Sequence, residues 1–293
     1  MRDGPIIEAP LLNSLGDLSL VARTVVEGFL SGLHRSPFLG YSTEFASYRP
    51  YIQGDNLRHV DWKVWGRTDE LYVKQFEDDT NLCAQILLDT SGSMDFGNPN
   101  KFHYSQTLAA ALAYLMVRQH DAPGLTLFGA GAVQALPSRS NYYHLDDVLQ
   151  MLANARAHGP TLIGADLWNV LETFTRRGVA LVISDLFGTG DSISELLRQL
   201  QIQRQEIIVL HIVCPEEADF NFEGDYLMED SETDQKLSVH AGAFRKEYQR
   251  RFGEFCERAK QECEKLEADY RRLRTDTPLE QALTLYLEER TTL

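Results

Sequence analysis

Cysteine is scarce in this chain of 293 residues. Cys83, Cys214, Cys256 and Cys263 are the whole complement, and no CxxC pair occurs among them. That excludes a zinc knuckle, which needs closely spaced thiolates. Two of the four fall in apolar, strand-like runs. Cys256 and Cys263 lie seven apart on a helix-like segment, too far for a disulfide between intact turns. Free thiols in a reducing cytosol are the expectation. Long apolar runs are missing too: none approaches the roughly 18 residues that a spanning helix needs. The stretch MRDGPIIEAPLLNSLGD lacks the basic flank and apolar run of a signal peptide. A cytoplasmic protein without a membrane span is therefore expected. Positive charge is also short, with 28 Lys and Arg against 43 Asp and Glu, a net charge of −15. Nucleic acid is not an expected partner, because its phosphates call for a basic footprint. An acidic surface can instead help to hold a divalent cation.

Catalytic signatures are absent as well. There is no GxxxxGK[ST] loop and no GxGxxG; Gly188-Thr189-Gly190 lacks the third glycine. Neither a GxSxG elbow nor HExxH occurs. The eight histidines are scattered singly, and His34, His59 and His103 have no evident partner in the sequence. The chain is not expected to be an enzyme.

What is present is enough apolar residue, 43%, for a substantial core. A helix is predicted from Asp17, as its cap, to Leu33, with Leu20, Val21, Val25, Phe29 and Leu33 at helical spacing. Ser36 to Glu77 is dense in aromatics and arginines and shows no long periodic run, although Leu71 to Phe76 alternates like a strand. From Leu82 strands and helices alternate. Cys83–Asp89, Val179–Asp185 and Glu206–Val213 read as buried strands, and Gly124–Leu136 as two strands joined at Gly129-Ala130-Gly131. Helices are predicted at Lys101–His120, Tyr142–Arg156, Ile163–Arg176, Ser192–Gln203 and Ala243–Glu267. A short strand at Tyr270–Leu273 and a closing helix at Pro278–Glu289 complete the series. This rhythm predicts an α/β fold, a mainly parallel sheet with helices on both faces. Glu216–His240 interrupts it with nine acidic residues and one lysine, and reads as a charged surface excursion with a hairpin around Asp230–Gln235. The domain division expected is 1–81 and 82–293.

The sharpest local pattern is Asp89-Thr90-Ser91-Gly92-Ser93, placed where a buried strand ends and before a helix. Ligands of open parallel sheets bind at the carboxyl ends of strands, and a small hard cation wants oxygen ligands. Asp185 ends a second apolar strand, and Thr161 lies in a loop entering a helix. In that order and context the five residues resemble the metal-ion-dependent adhesion site of von Willebrand factor type A domains, whose sheet is Rossmann-like. The resemblance implies direct ligation of Mg²⁺ (or Mn²⁺ or Ca²⁺) by Ser91, Ser93 and Thr161. It implies that Asp89 and Asp185 act largely through bound water, and that an acidic residue of a protein partner completes the shell. Two other readings stand beside it. The serines and aspartates could simply cap the following helix and loops. Asp89 could also serve a metal-dependent hydrolase or phosphatase, although Ser91 stands where a haloacid-dehalogenase-like enzyme would want a second Asp.

A second pattern precedes the sheet. Glu44-Phe45, Tyr48-Arg49-Pro50-Tyr51, Gly54-Asp55, Arg58, Asp61-Trp62-Lys63, Arg67-Thr68 and Leu71-Tyr72-Val73 continue through DTSGSM and ISDLF to DYRRLRTDTPLEQALTLYLEER. This spaced series resembles the bacterial family known as domain of unknown function 58, over roughly residues 18 to 290. The resemblance implies a partner, a MoxR-type AAA+ ATPase or its client, and a chaperone-like or assembly role beside it. Arg49, Arg58, Asp61 and Arg67, with Trp62 and Trp65, are expected to lock the irregular segment onto the sheet through guanidinium–carboxylate pairs. A docking surface for the ATPase is the alternative.

Overall fold

The computed structural model describes residues 15–33, 45–50, 66, 72–76, 82–129, 133–160, 167–168, 171, 174, 177–187, 191–229, 236–280 and 283–284. The chain divides into two compact units, Leu30–Asn81 and the pair of segments Met1–Phe29 and Leu82–Leu293. Helix α1 runs over Leu15–Leu33. It starts before Asp17, so that residue lies inside the first turn and is not its cap. Its buried stripe is Leu18, Ala22, Val25 and Val26, whereas Leu20 is 65% exposed. Spacings of four, three and one keep that stripe on one face of a 3.6-residue helix, and Leu20 falls outside it.

In the smaller unit, β1 (Phe45–Pro50) pairs antiparallel with β2 (Tyr72–Phe76), Pro50 opposite Tyr72 and Phe45 opposite Phe76. The first of these strands was not expected. Its partner lies far away in sequence, and a short ribbon interrupted by a register shift between Phe45 and Ser47 leaves little local period to read. Arg58, Asp61, Trp62, Trp65 and Arg67 lie outside the described residues, and Arg49 is placed only as backbone opposite Val73.

The larger unit is built on β3 (Cys83–Asp89), α2 (Lys101–Arg118), β4 (Ala122–Phe128), β5 (Gln134–Leu136), α3 (Tyr142–Asn154) and β6 (Val179–Ser184). The chain continues through α4 (Asp191–Ile202), β7 (Glu206–Val213), α5 (Pro215–Asp219), the hairpin β8 (Asp225–Glu229) and β9 (Lys236–His240), α6 (Ala241–Lys265) and β10 (Asp269–Arg274). Six strands form one sheet in the order β10-β7-β6-β3-β4-β5, parallel throughout except for β5. This is an α/β fold with a mainly parallel sheet, as the alternation predicted. The central strands are apolar continuously because both faces are covered: Ile86, Leu87 and Leu88 are all shut off from solvent. Leu87, Val182 and Val209 pack with Leu196, Leu197 and Leu200 of α4 and Cys263 of α6. Helix α2 contacts β3 and β4 and is buried almost all round, which its Ala-rich sequence permits.

Strand order places the site. From β3 the chain moves to β4 on one side, then returns to β6 on the other, so the β3/β6 boundary is the switch point, and in open sheets ligands bind beside it at the strands' carboxyl ends. The four cysteines are free thiols. The acidic excursion does contain a hairpin, with residues 230–235 outside the described set. It is not wholly solvated, however, because Glu217 is buried. The segments Ile163–Arg176 and Pro278–Glu289 are described only in part, with residues 167–168, 171, 279–280 and 283–284 helical. Among the described residues, no helix is long and apolar enough to cross a membrane.

Candidate functional site

Asp89 closes β3 and Asp185 follows β6, so parallel pairing of these strands (Leu88 opposite Ile183) brings two carboxylates to one end of the sheet. Both are fully buried. The Oδ1 of Asp89 accepts from the Ser91 backbone N–H at 2.9 Å, and its Oδ2 accepts from the Ser184 hydroxyl at 2.6 Å. The Oδ1 of Asp185 accepts from the Phe187 N–H at 3.1 Å and from the Ser93 hydroxyl at 3.2 Å. The Ser91 and Ser93 hydroxyls lie 3.0 Å apart. Four of the five expected residues therefore meet in one hydrogen-bonded cluster. Thr161 lies outside the described residues. Gly159, two residues before it, accepts from the Gly92 N–H at 2.7 Å, and the His158 N–H donates to the Thr90 carbonyl at 3.0 Å.

The capping alternative holds for half the set. Each aspartate braces the loop two residues beyond it. The serines do not act as side-chain caps: Ser91 begins the one-turn 3₁₀ helix Gly92–Met94 without such a bond, and Asn100 caps α2 by accepting from the His103 N–H. The loop also depends on Gly129. A Cβ there would come within 2.7 Å of the Thr90 hydroxyl and 3.0 Å of the Ser91 nitrogen, and its φ is +156°.

Sequence reasoning missed the residue that dominates the electrostatics. Lys101, the first residue of α2, is fully buried, with its Nζ 2.6 Å from Asp185 Oδ2 and in contact with Glu217 Oε1. Its ammonium also lies 5.2 Å from the centre of the Phe187 ring. The available signal was positional: a cation is unfavourable at a helix N-terminus unless carboxylates hold it there. Ser184, which orients Asp89, was likewise not singled out.

A family model described as Protein of unknown function DUF58 matches residues 47–257. The chain belongs to the DUF58 family. Two curated relatives of this DUF58 chain are Uncharacterized protein Mb1516 of Mycobacterium bovis and Uncharacterized protein Rv1480 of Mycobacterium tuberculosis. Each is 27% identical over 239 residues, which is 80% of this chain and 74% of the relative. Conserved hypothetical protein BatB from Bacteroides thetaiotaomicron is 15% identical, over 72% of this chain and 98% of that one, with a TM-score of 0.43. The SpRpn10 VWA domain is 13% identical, over 69% and 94%, with a TM-score of 0.40. At these scores neither structural likeness bears on the fold, which rests on strand order and register.

In this DUF58 chain, burial first and then the negative charge of Asp185 push the Asp89 carboxyl up to about 7, against hydrogen bonds from Ser184 and Ser91. Burial also raises Glu217, although Lys101 pulls the other way. Burial pulls Lys101 down, but its two carboxylates outweigh that and raise it, so the ammonium stays charged. One ammonium bonds two carboxylates but supplies a single positive charge, with Asp89 close behind. When all three acids are ionised, this buried cluster carries two uncompensated negative charges, the deficit a divalent cation cancels. Its donors are hydroxyl and carboxylate oxygens, which suit a hard cation. The acids alone do not make such a site: among the described residues no group of three or more His, Cys, Asp or Glu is arranged to hold a metal.

Proposed function

We propose that this chain is a metal-dependent protein-recognition module of the von Willebrand factor type A kind. The convergence of Asp89, Ser91, Ser93 and Asp185 at the switch point carries the reading. Ser91 and Ser93, with Thr161, hold Mg²⁺ or a similar divalent ion directly, while Asp89 and Asp185 orient the loop and act through bound water. Neutral direct ligands leave the cation electron-poor, so an acidic side chain of a partner gains by joining it. The full burial of Asp89, with both oxygens engaged, favours this role over a nucleophilic one. By the family resemblance, the partner is a MoxR-type AAA+ ATPase or its client, and the work is assembly or chaperone-like remodelling.

The test is surface plasmon resonance against a MoxR-type ATPase, with magnesium and with EDTA, on wild type and Ser93→Ala. Binding that needs magnesium and is lost in the variant is expected. Equal affinity with magnesium and EDTA sinks the metal-dependent reading. A second reading draws on Lys101, whose ammonium already pairs with Asp185. In that case the lysine stands in for the metal and the domain is a scaffold. Calorimetry with Mg²⁺ separates the two, because the scaffold takes up no ion.

A further inference from the structure

Strand β10 ends the sheet on the side away from β5 and, among the described residues, pairs only with β7. Among the described residues, no backbone hydrogen bond outside that ladder reaches positions 269–273 on the strand. An open groove of about 600 Å³ lies along this edge. Its lining includes Tyr270 and Arg272 as well as Arg271 and Leu273. Successive strand residues point to opposite faces, so a groove touched by both sets runs along the strand's outer edge. The facing wall is α6, through Gly253, Cys256, Glu257 and Lys260, which follow one helix face at spacings of three and four.

Two properties fit this groove to an occupant. First, Lys260, Arg271 and Arg272 line it against one acid, Glu257, in a chain whose net charge is −15. Arg271 pairs with Asp269 and Lys260 lies 3.6 Å from Glu264, both partly exposed, whereas Arg272 has no carboxylate partner among the described residues. Exposed pairs of that kind exchange readily for a partner's carboxylates. Second, Gly253 leaves room: a Cβ built there meets nothing within 4 Å.

We infer that the groove between β10 and α6 binds an extended acidic segment of a partner protein, which adds a strand to the sheet edge. The backbone of β10 supplies the ladder, the half-buried Tyr270 ring the apolar contact, and Lys260, Arg271 and Arg272 the selection for acidic side chains. None of the residues at the strand-end site takes part.

A fluorescein-labelled ten-residue peptide alternating glutamate and valine, titrated in EDTA and followed by anisotropy, tests this independently of any metal. Wild type binds it, and a lysine–valine peptide binds weakly or not at all. N-methylation at alternate residues of the glutamate peptide, which removes ladder donors, weakens binding on the order of tenfold or more. Arg272→Glu combined with Lys260→Glu has a similar effect, on the order of tenfold. Gly253→Trp closes the groove, and circular dichroism melts verify that each variant is folded. Failure of the glutamate peptide to bind overturns the inference and leaves the arginines as charges that guard a bare edge. Equal binding of the N-methylated or lysine peptides, or binding unchanged in folded variants, overturns it as well.

Discussion

The Nζ of Lys101 lies 2.6 Å from Oδ2 of Asp185, and neither side chain reaches solvent. The pair joins the start of α2 to the end of β6, and through Glu217 it reaches α5 beyond β7. Three loops at one end of the sheet thus share a single buried cation. Burial, and the α2 dipole with it, opposes its charge, and the two carboxylates are what keep it charged there.

Removing that cation strands two buried carboxylates. Lys101→Met is expected to cost about 3–5 kcal/mol in urea denaturation. Glu217→Gln added to it should cost much less than the sum of the single changes, because the two residues share one interaction. Additive losses would show that the pair is not energetically coupled.

Magnesium should raise the melting temperature of wild type, since an ion that binds only the native state stabilises it, by about 2.7 kcal/mol at one hundred times its dissociation constant. Asp89→Asn keeps the side-chain shape beside Ser91 and Ser184 but removes the charge, and should abolish most of that gain. Equal magnesium-induced shifts in differential scanning calorimetry would place the ion elsewhere.

Gly129→Ala should push the Thr90–Ser91 backbone away, because the added methyl meets it at 2.9 to 3.0 Å and the Thr90 hydroxyl at 2.7 Å. A loss of about 1–3 kcal/mol follows from forced displacement in a packed site, together with weaker magnesium binding. A variant with unchanged stability and unchanged ion affinity would mean that the loop relaxes freely.

His144 supplies a pH dependence. Burial lowers its pKa below the ordinary 6.5, with Arg139 adding to that; the Pro123 carbonyl and Asp147 oppose it. The ring Nε2 lies 3.0 Å from that carbonyl oxygen. The unfolded chain takes up the proton first, so this contribution is full above pH 6.5 and is lost as pH falls through the lower folded value. Denaturation series from pH 7.5 downward should show His144→Gln losing less stability than wild type over this window. Parallel curves would remove His144 as a source of acid sensitivity.

Much of the sheet was legible because its strands are short apolar runs and its helices periodic. Cys83–Asp89 and Glu206–Val213 match their predicted bounds, and α2 starts at Lys101 as read. Elements without a local period were less visible: β1 was not foreseen, and the face of α1 was misassigned at Leu20. Asp89, Ser91, Ser93 and Asp185 could be proposed as a set because each stands at or just beyond the end of a readable strand.

Sequence by itself determined the alternation of strands and helices, and the oxygen donors that end two of the strands. Those features depend on neighbours within a few residues. Only the tertiary structure decided that β3 lies between β4 and β6, and so that Asp89 and Asp185 meet at one end of the sheet. The partnership of Lys101 with Glu217 was also beyond local reading. The two are 116 residues apart, on separate helices. Either one alone looks like an ordinary charged residue in a first helical turn, and only burial of the pair makes its charge a constraint on the site.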